Sequence, residues 1–142
     1  MTTTSTQTTT AGNVRMRTSA ALPVAATASV LAGFIHYIVM PEHLAEWWVY
    51  AAFFTAIGMF ELIWAALVFT GRNRQVLLVG VLVNVAVLAL WVVTRTTGLP
   101  FGPEPGTPEA VGIWDLVSCA AETVTVLAVL YSLLGSKRTH HD

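Results

Sequence analysis

Residues 76–93 read VLLVGVLVNVAVLALWVV, with no charged side chain and Asn84 as the only polar one. A bilayer's hydrocarbon core takes about 20 apolar residues in helical form, so this stretch predicts a helix that crosses a membrane. The rest of the chain repeats the pattern. Apolar segments run over 19–40, 44–70, 76–94 and 111–134, each near the length of one span. The whole chain of 142 residues is 55% hydrophobic and only 11% charged, with a mean hydropathy of +0.67. Soluble domains carry about 25% charged residues, so a soluble enzyme, a nucleic-acid binder and a disordered regulator are excluded. The fold expected is all-α, an integral membrane four-helix bundle.

Around the spans, residues 1–18 are Thr-rich and nearly free of apolar side chains, which predicts a disordered tail. Arg15 and Arg17 before an apolar run resemble a signal peptide. The run continues to Met40, however, beyond the roughly 7–15 residues of a signal core, so a retained first span is the favoured reading. The transmembrane domain is expected over 19–134, followed by a short basic tail over 135–142. Pro41-Glu42-His43 and residues 71–75 are read as the first two links. The third, from Thr96 to Gly112, holds four prolines and four glycines, too many for a helix, and is expected to cap the bundle as a stiff loop. Pro41-Glu42 and Pro108-Glu109 both have the form of a helix start, with proline in the first turn and an acid at the positive dipole end. Two ordinary helix starts are favoured over a duplicated hairpin.

Orientation follows from charge. Arg15, Arg17, Arg72, Arg74, Lys137 and Arg138 fall on one side and only Arg95 on the other, which places both termini in the cytoplasm of a multi-pass plasma-membrane protein. Glu42, Glu46, Glu104, Glu109 and Asp115 then lie outside, with Trp47, Trp48, Trp91 and Trp114 as an aromatic belt.

The polar residues inside the spans carry the candidate chemistry. His36 sits one turn below the outer end of helix one, and a histidine there needs a partner. His43 and Glu46, three residues apart, share a face at the top of helix two. Asp115 tops helix four, with Glu122 seven residues deeper on the same face. Imidazole plus carboxylate is a ligand set for zinc, copper or iron, so His36, His43, Glu46, Asp115 and Glu122 are the candidate metal ligands. For His43 and Glu46, a plain solvated interface is an equally good reading. Only neutral imidazole ligates, so such a site would weaken as pH falls from about 7 to 5. Arg95 is the one cation of the outer half, and Asp115 and the loop acids are its expected partners. Glu61, eighteen residues after His43 in a continuous helix, would share its face about 20 Å deeper at ~1.5 Å per residue. Asn84 falls between Glu61 and Glu122, which draws a polar line from His43 through Asp115, Glu122 and Asn84 to Glu61. An ionised acid at a helix centre costs roughly 2.5–3.5 kcal/mol, so these carboxyls are either neutral helix glue or functional groups. Gly33, Gly58 and Gly80 allow close helix approach, and Cys119, the single cysteine, reads as a small packing residue.

Two motifs carry a resemblance. His36-Tyr37-Ile38-Val39-Met40-Pro41-Glu42-His43-Leu44-Ala45-Glu46-Trp47 and Arg95-Thr96-Thr97-Gly98-Leu99-Pro100, continuing through Pro108-Glu109-Ala110-Val111-Gly112 to Asp115, resemble the signatures of small four-span actinobacterial membrane proteins. The resemblance implies the topology and a residue set of His36, Pro41, Glu42, His43, Glu46, Arg95, Glu109, Asp115 and Glu122. It implies no reaction. The function expected is an outer-facing His/carboxylate site that binds or handles a transition metal. The alternative is an accessory subunit packed against a larger membrane complex such as a respiratory assembly, or a homo-oligomer. No catalytic set stands out, which leaves an enzyme as the weakest reading.

Overall fold

The structure, a computed structural model, describes residues 9–71 and 73–137, with side chains over 20–71 and 73–135. Among the described residues, four helices make up the fold: α1 (Thr9–Glu46), α2 (Trp48–Thr70), α3 (Arg74–Thr96) and α4 (Ile113–Lys137). Helix α1 packs on α2 and α4, and α3 closes the ring against the same two. Helix α1 therefore stands diagonal to α3, and α2 diagonal to α4.

The pattern of burial is the reverse of a soluble bundle. Leu82, Ile113 and Trp48 are about two-thirds exposed, while Ser29, His36, Glu61, Asn84, Ser118, Glu122, Thr125 and Ser132 are buried. In lipid the apolar surface needs no shelter, and polar side chains turn inward to find partners. All four helices are long and apolar enough to cross a membrane. The chain fits a small multi-pass integral membrane protein in a lipid bilayer.

Small residues set the helix contacts. A Cβ on Gly33 would stand 3.1 Å from the Gly58 carbonyl oxygen, and one on Gly80 would stand 2.2 Å from the Trp64 indole. Helices α1 and α2 thus touch backbone to backbone, and the Trp64 ring fills the notch over Gly80. Its Nε1–H donates to the Val76 carbonyl at 2.7 Å, closing α2 onto α3.

Three boundaries differ from the sequence expectation. Pro41, Glu42 and His43 are not a link; they continue α1, and the break falls at Trp47, whose backbone is extended at φ −164° and ψ 131°. Proline is tolerated within a membrane helix, where neighbouring groups can satisfy the carbonyl it frees, and two residues further on the His43 ring bonds back to the Val39 carbonyl at 2.9 Å. His43 and Glu46 therefore belong to the end of α1 and not to the top of helix two. The eighteen-residue register from His43 to Glu61 is broken with them. Pro108-Glu109 does not open α4 either: the helix begins at Ile113, and Asp115 in its first turn accepts the Gly112 N–H at 2.8 Å. Finally, α1 is helical from Thr9, within the stretch expected as a tail; residues 1–8 and 138–142 of the two tails lie outside the described residues.

The loop over 97–112 folds back on the bundle. Gly98, Gly102 and Gly106 have positive φ. At Gly98 a Cβ would fall 2.5 Å from the Thr107 carbonyl oxygen, and at Gly102 it would fall 2.8 Å from the Tyr50 hydroxyl. Both positions demand the conformational freedom and the missing side chain of glycine. Backbone bonds from Gly106 to the Leu99 carbonyl (2.7 Å) and from Glu109 to the Thr94 carbonyl (3.0 Å) pin the loop to itself and to α3.

Candidate functional site

A cavity of about 300 Å³ lies beneath this loop, in the half of the bundle where α1 and α3 end and α2 and α4 begin. Its walls are mainly aromatic and aliphatic. Tyr50, Phe53 and Phe54 come from α2, Trp91 from α3, Phe101 from the loop and Trp114 from α4. His36, His43, Arg95, Glu109, Asp115, Ser118, Cys119 and Glu122 complete the lining.

Two polar clusters frame it. At the loop side, the Arg95 guanidinium donates through Nη1 to Glu109 and through Nη2 to Asp115 at 2.8 Å. This is the pairing that the charge pattern led one to expect, and it ties α3 to the loop and to α4. On the deeper side, His36 Nε2 and Glu122 Oε1 share a hydrogen bond at 3.2 Å, and Ser118 Oγ donates to the same oxygen at 3.2 Å. His36 is 4% exposed and Glu122 1%. Their bond joins α1 to α4 across the bundle.

A third cluster lies further from the loop. Glu61, fully buried, accepts Asn84 Nδ2–H at 2.9 Å and the Ser29 hydroxyl. Asn84 also donates to the Gly80 carbonyl at 2.9 Å, and Ser29 to the Glu61 carbonyl at 3.0 Å. This joins α1, α2 and α3 much as the His36–Glu122 bond joins α1 and α4. Ser29 escaped the sequence reading, although it stands seven residues before His36, two turns along the same face of α1.

The five candidate ligands are not gathered at one point. His36 and Glu122 meet; Asp115 is held by Arg95; the His43 ring bonds Val39 and packs tilted against Phe54 with ring centroids 4.1 Å apart; Glu46 is exposed. Among the described residues, no group of three or more His, Cys, Asp and Glu side chains is placed to hold a metal ion. The polar line drawn from His43 to Glu61 becomes separate clusters, with His43 outside all of them.

Three of the lining residues also hold a buried polar atom without a partner. Trp91 Nε1, Arg95 Nε and Glu122 Oε2 are buried with no hydrogen-bond partner, and all three residues line the cavity. Buried polar groups in proteins are nearly always satisfied, and each one left bare costs about 1–3 kcal/mol. Each of the three atoms is sealed from water by its neighbours, so the open surface of the chamber is mainly that of its aromatic and aliphatic walls. The sequence concealed Trp91 as one of these walls because it reads as one ring of an interfacial belt.

No family model, curated protein or solved structure matches this chain. The site is therefore defined by its own geometry.

Proposed function

We propose that this protein is a membrane-embedded binding protein for a lipid-soluble small molecule, held between the loop over 97–112 and the His36–Glu122 pair. The observation that carries this reading is one mostly apolar cavity of about 300 Å³ among the four helices and the loop. The walls suit a molecule that arrives from lipid. With six basic residues on one side, the site opens toward the outer leaflet of the plasma membrane and both termini are cytoplasmic. On a Cys119→Ser background, Glu104→Cys is expected to react with an impermeant thiol reagent added outside. Asn73→Cys is expected to react only after permeabilisation. The opposite labelling would invert the topology.

The test of binding is organic extraction and mass spectrometry of the protein purified in native-lipid discs, with metal analysis on the same sample. The wild type is expected to carry a stoichiometric small molecule beyond bulk lipid. Cys119→Phe, which places a ring inside the cavity, is expected to lose it. Equal recovery from both proteins would overturn the reading. Stoichiometric zinc, copper or iron lost in His36→Ala would assign the site to metal handling, and a co-purifying chain in place of a small molecule would favour the accessory subunit.

A further inference from the structure

We infer that the ligand enters the cavity sideways from the lipid, through the seam between α2 and α3, and not from water through the loop. This rests on the binding reading above and adds the route by which the site is filled. The walls of the cavity are fastened unequally, and the weakest seam faces hydrocarbon.

Three of the four helix seams are bridged in this half of the bundle. Between α1 and α2, the rings of His36 and His43 pack against Phe54 with centroids 5.6 and 4.1 Å away. Between α1 and α4, His36 bonds Glu122. Between α3 and α4, Arg95 pairs with Asp115. The seam between α2 and α3 has no such tie here. Among the described residues, the hydrogen bonds that join these two helices lie at the far end, where Trp64 bonds Val76 and Asn84 bonds Glu61. Of the four neighbouring pairs, α2 and α3 also pack least extensively.

The two helices carry that loosely held seam up to the cavity. From the contact of Trp64 with Gly80, Phe53 lies eleven residues toward the loop on α2 and Trp91 eleven on α3, ~16 Å in each case. The stripes that meet at Trp64 and Gly80 thus run on to a common level where both line the cavity. Burial changes on the way. Trp64, Gly80 and Asn84 are buried, whereas Phe53, Leu90 and Trp91 are only half-buried. Opening such a seam in lipid exposes no bare backbone, because each helix satisfies its own hydrogen bonds. Its apolar side chains need no shelter there either.

The loop offers no comparable opening. Backbone bonds tie Gly106 to Leu99 and Glu109 to Thr94, and Arg95 holds the Glu109 carboxylate. Gly102 sits so near the start of α2 that a Cβ there would fall 2.8 Å from the Tyr50 hydroxyl and 3.5 Å from the Trp47 ring. Lifting the loop breaks hydrogen bonds and an ion pair; parting Phe53 from Leu90 and Trp91 breaks neither. In the proposed orientation the seam faces the hydrocarbon of the outer leaflet. The site therefore draws on uncharged molecules dissolved in that leaflet.

The experiment is fluorine NMR exchange spectroscopy on the full chain in lipid discs with 1-fluoronaphthalene, an uncharged probe of the kind an apolar cavity holds. Exchange between bound and lipid-dissolved probe gives an entry rate and an exit rate. Leu90→Ala and Phe53→Ala, which thin the seam from either side, are each expected to raise the entry rate several-fold. A side chain that is only wall acts mostly on exit, so the entry rate separates a gate from a wall. Phe101→Ala, which thins the roof, is expected to leave entry unchanged. Entry unaltered in both seam variants, or raised as much by Phe101→Ala as by either of them, would overturn the portal while the cavity stays a binding site. A wild type without bound probe, or bound probe that survives Cys119→Phe, would overturn the portal and the binding reading together.

Discussion

Replacing Arg95 with Gln is expected to lower the stability of the protein by about 2 kcal/mol and to release the loop over 97–112 from the bundle. Among the described residues, the guanidinium is the only group that joins α3 to both Glu109 in the loop and Asp115 on α4. Removing it strands two carboxylates beside an apolar cavity. Breaking a fully buried pair costs about 3–5 kcal/mol. Here Glu109 is 37% exposed and Asp115 20%, and water relieves part of that penalty. Arg95→Lys keeps the charge but loses the planar fork that reaches two acids at once, so it should recover only part of the loss. Thermal unfolding in lipid discs reads the stability, and hydrogen exchange at Gly106 and Glu109 reads the loop. Unchanged exchange in Arg95→Gln would mean that the backbone bonds to Leu99 and Thr94 hold the loop by themselves.

Gly80→Ala is expected to cost about 1–3 kcal/mol, the range for overfilling a packed core. The added Cβ would come within 2.2–2.5 Å of three indole atoms of Trp64, so the ring must move. Moving it strains the bond from Trp64 Nε1 to Val76 and presses on the neighbouring bonds from Asn84 to Gly80 and Glu61. Trp64→Phe should restore part of the loss in a Gly80→Ala background, because the smaller ring clears the methyl. A non-additive double-mutant cycle in unfolding free energy is the signature of that contact. Additive effects would place the cost elsewhere.

Hydropathy alone made the four helices legible, since strongly apolar runs near 20 residues have few other uses. It could not place the first turn correctly. Pro41-Glu42 has the form of a helix start, and nothing local says that α1 runs on through it to Glu46. That shift moved His43 and Glu46 from one helix to another and removed the register that joined them to Glu61. The Arg95–Asp115 pair was legible because one cation and a few acids share that half of the chain. His36 declared its need for a partner by being a histidine in an apolar run, and Glu122 meets it. Ser29 and Trp91 were hidden for opposite reasons: serine is common in membrane helices as packing, and tryptophan near a boundary reads as an interfacial anchor. Their roles depend on what the other three helices bring to the same depth, which only the packed bundle shows.

The most direct test of the cavity as a binding site is an experimental density map of the protein in discs made from its own membrane, at a resolution that separates ring-shaped from spherical density. The expected result is continuous density for one small molecule between Phe53, Trp91 and Trp114, separate from the lipid around the bundle. A chamber closed by collapsed side chains would contradict it.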